Sequence, residues 1–177
     1  MEAAEQKPVT TLNTGIRYGV MLGLISVAYF LVLIISGVDT NQGWGRWSNL
    51  ILSGALLFFA HQYFKENGDG WMTYGQGIGV GFYTGLISSL IMSVFLFVFM
   101  QFIDTDFSQQ LADMQRQAME DQGMSDDQVD QAMKMVAKFT TPGWMFVFGL
   151  GGGTVGMVIL ALILTIFTQA KNPNMPE

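Results

Sequence analysis

Cysteine is absent from this 177-residue sequence, histidine occurs once, and only 12% of the residues are charged. The lack of cysteine excludes thiolate metal sites. Soluble domains carry roughly 25% charged residues, so this composition does not suit one. Nucleic-acid binding requires a basic surface, whereas this chain has a net charge of −6. We therefore expect neither a nucleic-acid partner nor a bound metal.

The little charge that is present is concentrated in one segment. Residues 104–141 hold eight acidic and three basic residues, which gives this segment −5 of the total −6. The low isoelectric point therefore describes one acidic segment and not the whole chain.

Four long apolar stretches dominate the rest of the chain, at about residues 16–37, 47–64, 77–103 and 143–168. A helix needs roughly 20 residues to cross the apolar core of a bilayer, and only the second stretch is marginal. Tryptophan and tyrosine lie beside the stretch ends, as at membrane interfaces. Four buried helices of a soluble protein are the alternative, which stretches so long and free of charge disfavour. The sequence predicts a single all-α membrane domain, residues 1–177, with four transmembrane helices.

The first stretch is too long for the apolar region of a signal peptide, and no cleavage site of small residues follows it. We therefore expect it to be a retained first span.

Glycine recurs every four residues within three of the stretches. The glycine rows are Gly15, Gly19 and Gly23 in the first, Gly77, Gly81 and Gly85 in the third, and Gly149 and Gly153 in the fourth. Residues four apart share a helix face, and small residues let helices in lipid approach closely. A phosphate-binding loop would need a lysine and a hydroxyl after its glycines, and neither follows here. We therefore predict helix packing, with the rows of the first and third stretches forming complementary faces.

Three patterns suggest a binding or catalytic site, and each has a simpler explanation. Gly151, Gly153 and Gly156 match the dinucleotide pattern GxGxxG, but they lie inside an apolar stretch, where close packing or a kinked segment explains them. Residues 65–70, KENGDG, resemble a calcium loop but lack two of its acidic ligands. His61 alone cannot build a multi-histidine site, so we expect a hydrogen-bonded group at the membrane rim. The sequence predicts no catalytic residue, no cofactor and no enzymatic activity.

The acidic segment 104–141 contains two amphipathic patterns. Gly123 separates them, and Ser125 begins a capping box with Gln128. We expect an extramembrane helical hairpin between the third and fourth spans. Its apolar sides can cover each other, lie on the bilayer or bind a partner, and flexible methionines suit a partner. The predicted contact residues are Leu111, Met114, Val129 and Met133.

Several motifs resemble a known family: GDGWMTYGQGIGVGF leading into the third stretch, FIDTDF at its end, GMSDDQVDQAM in the insert, and TTPGW before the last stretch. This family is a domain of unknown function found in small bacterial four-span proteins and widespread in the Bacteroidota. The resemblance covers about residues 12–168. It implies four helices in the inner membrane with a helical insert before the last, and it implies no activity, cofactor or catalytic residue.

Three classes of function are compatible with these features. We favour a non-enzymatic accessory protein of the lipid bilayer that binds a membrane-protein partner or forms a homo-oligomer. The alternative is a small oligomeric transporter or channel, for which the candidate lining residues are Ser26, His61, Thr84 and Ser88. A membrane enzyme acting on lipid would need a polar cluster at one interface, and the sequence shows too few residues for it.

Four spans place both termini on the same side of the membrane. The basic residues near the span ends divide equally between the two sides, with Lys7, Arg17, Lys65 and Lys171 against Arg46, Arg116, Lys134 and Lys138. Because the second set is spread over a long acidic segment, we expect both termini to be cytoplasmic.

Overall fold

A computed structural model describes residues 9–36 and 45–170, and within these ranges every regular element is a helix. The α-helices are α1 (Thr11–Ser36), α2 (Gly45–Glu66), α3 (Tyr74–Val98), α4 (Phe107–Asp121), α5 (Asp126–Phe139) and α6 (Pro142–Thr168), and a π-helical turn, Phe99–Ile103, extends α3. The prediction of an all-helical chain is confirmed for this part of the protein. The expected end of the first span at Gly37, and the basic residues Lys7 and Lys171, lie outside the described residues.

Three helices of the described chain are long and apolar enough to cross a membrane: α1, α3 with its π-helical turn, and α6. They contain 26, 30 and 27 residues. At about 1.5 Å per residue, each exceeds the ~30 Å apolar core of a bilayer. Large apolar side chains on them point outward, for example Leu24 (60% exposed), Ile35 (84%) and Phe167 (79%). Apolar surface exposed on this scale is stable in lipid and unstable in water, which indicates a membrane protein.

The helix α2, in contrast, is not among the helices that are both long enough and apolar enough to cross a membrane. It runs back along α1. The hydroxyls of Tyr29 and Ser48 are hydrogen-bonded towards one end. Towards the other end the rings of Tyr18 and Tyr63 lie 5.7 Å apart, and the guanidinium of Arg17 lies 4.4 Å from the centre of the Tyr63 ring. The two helices are therefore antiparallel and adjacent over most of their length.

The core of the bundle joins α2 to the three apolar helices. Its fully buried members include Leu57 and Ala60 from α2, Val80 from α3 and Ala161 from α6. An aromatic cluster packs at the end of the bundle that carries α4. The Phe30 ring lies 5.8, 5.6 and 6.0 Å from the rings of Phe95, Phe99 and Phe107. This cluster connects α1 and α3 to the first turn of α4.

The ends of the helices in and after the insert lie at glycine, capping and proline residues that are visible in the sequence. Gly123 adopts a positive φ of 79°, which ends α4 at little steric cost. The backbone N–H of Ser125 donates to the side chain of Gln128 at 3.1 Å, so the predicted capping box at the start of α5 is confirmed. Pro142 occupies the first turn of α6, where its missing N–H has no helical partner to lose.

The helix α3 begins earlier than expected, at Tyr74 and not at Gly77. Thr73 caps it: its hydroxyl accepts from the N–H of Gln76 at 3.3 Å, and the Gln76 side chain accepts from the N–H of Thr73 at 2.8 Å. The pattern T-x-x-Q is a capping box, so a signal for this boundary was present in the sequence.

Candidate functional site

The helices α3 and α6 approach each other closely along a row of small residues. Small residues at every fourth position of α3 contact residues of α6 whose numbers fall by four at each step. The two helices are therefore antiparallel. The pairs are Gly77 with Thr165, Gly81 with Ala161, Gly85 with Met157, Ser89 with Gly153, and Ser93 with Gly149. A Cβ added to Gly81 would overlap the Ala161 side chain. The row Gly77–Gly81–Gly85 therefore lies against α6.

The glycine row of α1 lies against a different face of α3. A Cβ added to Gly19 would lie 2.7 Å from the Cβ of Ile87, and one added to Gly23 would lie 2.9 Å from the Cβ of Ile91. A Cβ on Gly15 would overlap Tyr83. The expectation that the rows of α1 and α3 form complementary faces was wrong, because α3 directs its own glycines towards α6 and meets α1 with larger side chains.

The glycines of the fourth stretch divide into two groups. Gly149 and Gly153 contact Ser93 and Ser89, and an added Cβ on Gly149 would lie 2.8 Å from the Ser93 hydroxyl oxygen. An added Cβ on Gly151, Gly152 or Gly156 would meet no atom within 4 Å. The GxGxxG pattern lies inside the continuous helix α6, so it does not form the strand-to-helix turn that binds dinucleotides.

A buried polar junction joins α2, α3 and α6 near the end where α2 stops. His61 is fully buried, with Nδ1 2.8 Å from the Thr168 hydroxyl and Nε2 3.1 Å from the carbonyl oxygen of Gly77. Because a carbonyl only accepts, the Nε2–H of His61 donates to Gly77. The Thr168 hydroxyl beside Nδ1 donates to the Leu164 carbonyl at 3.1 Å. The Lys65 ammonium donates to the Thr168 carbonyl at 3.1 Å. His61 is thus hydrogen-bonded through both ring nitrogens, as expected of a satisfied polar group.

A cavity of about 590 Å³ lies between all four helices of the bundle, towards the end that carries the insert. Its apolar wall includes Leu22, Phe30 and Met92. Its polar side chains are hydroxyls and one amide, from Ser26, Tyr29, Asn49, Ser53, Ser88, Ser89 and Ser93. The cavity can therefore offer neutral hydrogen-bonding groups beside a larger apolar surface.

Two of the four residues predicted to line a membrane pathway lie in this cavity. Ser26 and Ser88 line it, whereas Thr84 and His61 are fully buried elsewhere in the bundle. Sequence reasoning missed Asn49 and Ser53 of α2. They lie four residues apart, so they share a helix face, and that spacing was a usable signal.

The insert presents a second concave surface, the insert groove, between α4, α5 and the start of α6. Its volume is about 420 Å³, and its lining residues are Leu111, Gln115, Met119, Ala132, Met135, Val136, Phe139, Thr140 and Met145. Of the predicted contact residues, Leu111 lines the groove, Val129 is fully buried and Met133 is half-buried. Met114 is 47% exposed and lies outside the groove.

Arg116 makes two ion contacts on the exposed side of the insert, one within α4 and one to α5. Arg116 donates to Glu120 at 3.0 Å and to Asp130 at 2.9 Å. These two carboxylates, Glu120 first, raise the pKa of Arg116 further above any physiological pH. Nowhere in the described ranges do three or more His, Asp or Glu side chains group as metal ligands would.

The chain belongs to the family described as "Protein of unknown function (DUF4199)", whose profile matches residues 17–170. The expected membership in an uncharacterised family is confirmed. No curated protein and no solved structure matches the chain.

Proposed function

We propose that this protein is a four-span integral protein of the bacterial inner membrane that works by binding another membrane protein and not by catalysis. In this arrangement α1, α2, α3 and α6 are the spans. The helices α4 and α5 form an acidic hairpin outside the bilayer. Both termini are cytoplasmic, so the hairpin faces the opposite side.

The position of α2 supports a fourth span. It follows α1 from Ser48 to Tyr63, and it buries Leu57 and Ala60 in the same core as the three apolar helices. Its outer face carries Ile51 (69% exposed) and Phe59 (56%), side chains that suit lipid. A helix of 22 residues is about 33 Å long, which is sufficient to cross the bilayer.

The insert groove is the observation that carries the binding role. Met135 is 64% exposed and Phe139 is 42% exposed at its edge, so apolar side chains stand open beside acidic helices. Residues 104–141 carry eight acidic and three basic residues, so the insert keeps an excess of negative charge. An amphipathic helix with an apolar face and flanking lysines or arginines fits both properties. We therefore take the partner to be a basic amphipathic helix of a second membrane protein.

A photo-cross-linking experiment in native membranes tests this role with a matched pair of positions. A benzophenone amino acid replaces Met135, which lines the groove, or Met114, which is exposed but lies outside it. We expect an adduct to a basic helix from position 135 only. Added salt should weaken it, and Phe139→Asp should abolish it. Equal adducts from both positions, adducts to lipid alone, or an adduct to a second copy of this chain would each contradict the proposal.

The second candidate, a small transporter or channel, is favoured by the cavity that Ser26 and Ser88 line. Purified protein in liposomes distinguishes it from binding. Release of an uncharged solute such as glycerol, faster than from protein-free liposomes, would support transport. An unchanged rate would support the binding role.

A further inference from the structure

The lining residues show how far the cavity between the four helices extends along the bundle. On α6 it spans Gly149 to Leu160, and on α3 it spans Ser88 to Leu96. These are the parts of both helices nearest to the insert, because α3 leads into it and α6 follows it. The cavity therefore extends from the middle of the bundle towards one membrane interface.

Two serine side chains in the wall are largely buried, and their hydroxyls are available to a ligand in the cavity. Ser89 is 8% exposed and Ser93 is 2% exposed, and both line the cavity. Neither hydroxyl is hydrogen-bonded to any of the residues that the structure describes, whereas neighbouring Ser88 donates to the Gly85 carbonyl at 3.2 Å. The hydroxyl oxygens of Ser89 and Ser93 are not among the described polar atoms that the fold encloses completely, so a ligand in the cavity can hydrogen-bond to them.

The size and chemistry of the wall define the class of ligand. A volume of about 590 Å³ lies within the usual range of small-molecule pockets, which fits one hydrocarbon chain with a small head and not a two-chain lipid. The polar groups are neutral, and they suit a head with hydroxyls or a carbonyl. A charged head would lose its hydration there without a matching charge from the described wall.

We propose that this cavity binds an uncharged single-chain lipid with a hydroxyl or carbonyl head, such as a monoacylglycerol or a prenyl alcohol of comparable length. The head bonds to Ser89 and Ser93, and the chain lies along Leu22, Phe30 and Met92. This site rests on the proposed embedding of the four spans in the bilayer. It is independent of any partner of the insert.

A pair of glycine substitutions on one helix tests the site. Gly156 lines the cavity and Gly151 does not, yet an added Cβ at either position meets no atom within 4 Å. The purified protein is labelled with a diazirine-bearing monoacylglycerol, and the labelled peptides are mapped by mass spectrometry. We expect labelling of α3 and α6 peptides to fall about tenfold in Gly156→Leu, because the leucine occupies the space of the chain. Gly151→Leu should label as the unmodified protein does.

Competition then identifies the head group and its source. Unlabelled monoacylglycerol or a prenyl alcohol of comparable length should reduce labelling, and the more effective competitor indicates the source of the ligand. Lysophosphatidylglycerol with the same chain should not compete. The Ser89→Ala, Ser93→Ala double variant adds no bulk and should lose the preference for monoacylglycerol over an 18-carbon alkene of equal chain length. This variant decides the question if Gly156→Leu fails to fold.

Three results would overturn the site. They are equal labelling of the two glycine variants, equal competition by the charged lipid, and an unchanged head-group preference in the serine variant. A protein that does not fractionate with membranes would instead refute the proposed function. Loss of labelling in a protein extracted from membranes concerns the site alone.

Discussion

A single methyl group added to Gly81 tests the close contact between α3 and α6. Its Cβ would overlap that of Ala161, whereas carbon atoms in contact need about 3.5–4.0 Å. The helices α3 and α6 must therefore separate by roughly 1 Å, and a gap of 0.5–1 Å loses about a quarter to a half of the dispersion energy across it. Overpacking of this kind typically costs about 1–3 kcal/mol. Replacing a helical glycine by alanine regains up to ~1 kcal/mol, so we expect Gly81→Ala to lower the free energy of unfolding by about 1–2 kcal/mol.

The reciprocal substitution makes the test specific. Ala161→Gly alone removes a buried methyl and adds a helical glycine, which we expect to cost about 1–2 kcal/mol. In the double variant the methyl moves from one side of the contact to the other, so its stability should lie within about 0.5 kcal/mol of the unmodified protein. The coupling energy would then be about 2–4 kcal/mol, and a coupling of this size is expected only for residues in contact.

The measurement is an SDS titration of the purified protein in mixed micelles, followed by tryptophan fluorescence. Gly151→Ala is the control, because a Cβ there meets no atom within 4 Å and the variant should not lose stability. If Gly81→Ala and Gly151→Ala unfold at the same SDS fraction, or if Ala161→Gly fails to rescue Gly81→Ala, the α3–α6 contact is not as described.

Three further predictions use the same preparation. His61→Leu removes hydrogen bonds to α3 and α6, including that to Thr168, and should cost about 1–3 kcal/mol in the SDS titration; an unchanged midpoint would refute the role of the junction. Thr84→Val replaces a buried hydroxyl that has no partner among the described residues by a group of the same shape, so stability should stay equal or rise, and a clear loss would reveal a hidden partner. The chain has no cysteine, so one cysteine at Gln6 or Gln117 can report sidedness: a membrane-impermeant maleimide added to spheroplasts should label position 117 only, and the reverse pattern would place the termini outside.

The helices suited to a membrane could be predicted because span formation depends on local composition. The apolar stretches around α1, α3 and α6 are each visible without knowing any neighbour. Helix limits were also local: Gly123 and Pro142 lie where α4 ends and α6 begins. Spacing by four showed which glycines share a face. It did not show which helix that face contacts. Gly19 meets Ile87 and Gly81 meets Ala161 because of how the helices are arranged in the bundle, which the spacing does not encode.

The cavity depends on contacts that sequence spacing does not encode. Ser26, Ser53 and Ser89 lie on three different helices, and only the crossing of these helices places them around one space. His61 is bonded to Gly77 and to Thr168, which is 107 positions away in the chain. Alone in the sequence it is a lone polar residue near a membrane rim, and its partners appear only in the assembled bundle.

The helix α2 is the wall of the cavity that can move, and this follows from how each helix is held. The helices α1 and α6 are locked to α3 through glycines that admit a neighbouring side chain close to the backbone. An added Cβ on Gly54 of α2, in contrast, would meet no atom within 4 Å. The helix α2 is held by hydrogen bonds of Ser48 and His61 and by the buried side chains of Leu57 and Ala60. Asn49 and Ser53 face the cavity.

A change of cavity volume should therefore occur by displacement of α2, since hydrogen bonds can exchange partners whereas interlocked backbones cannot separate without losing packing. Spin labels at exposed positions test this in the cysteine-free chain. The pair Ile51→Cys with Val155→Cys spans α2 and α6, and the pair Val94→Cys with Val155→Cys spans α3 and α6. We expect the α2–α6 distance distribution, measured by pulsed electron resonance in micelles, to be broader and to narrow when monoacylglycerol is added. If it is as narrow as the α3–α6 distribution and unaffected by lipid, α2 is as fixed as the other helices and the cavity has a constant volume.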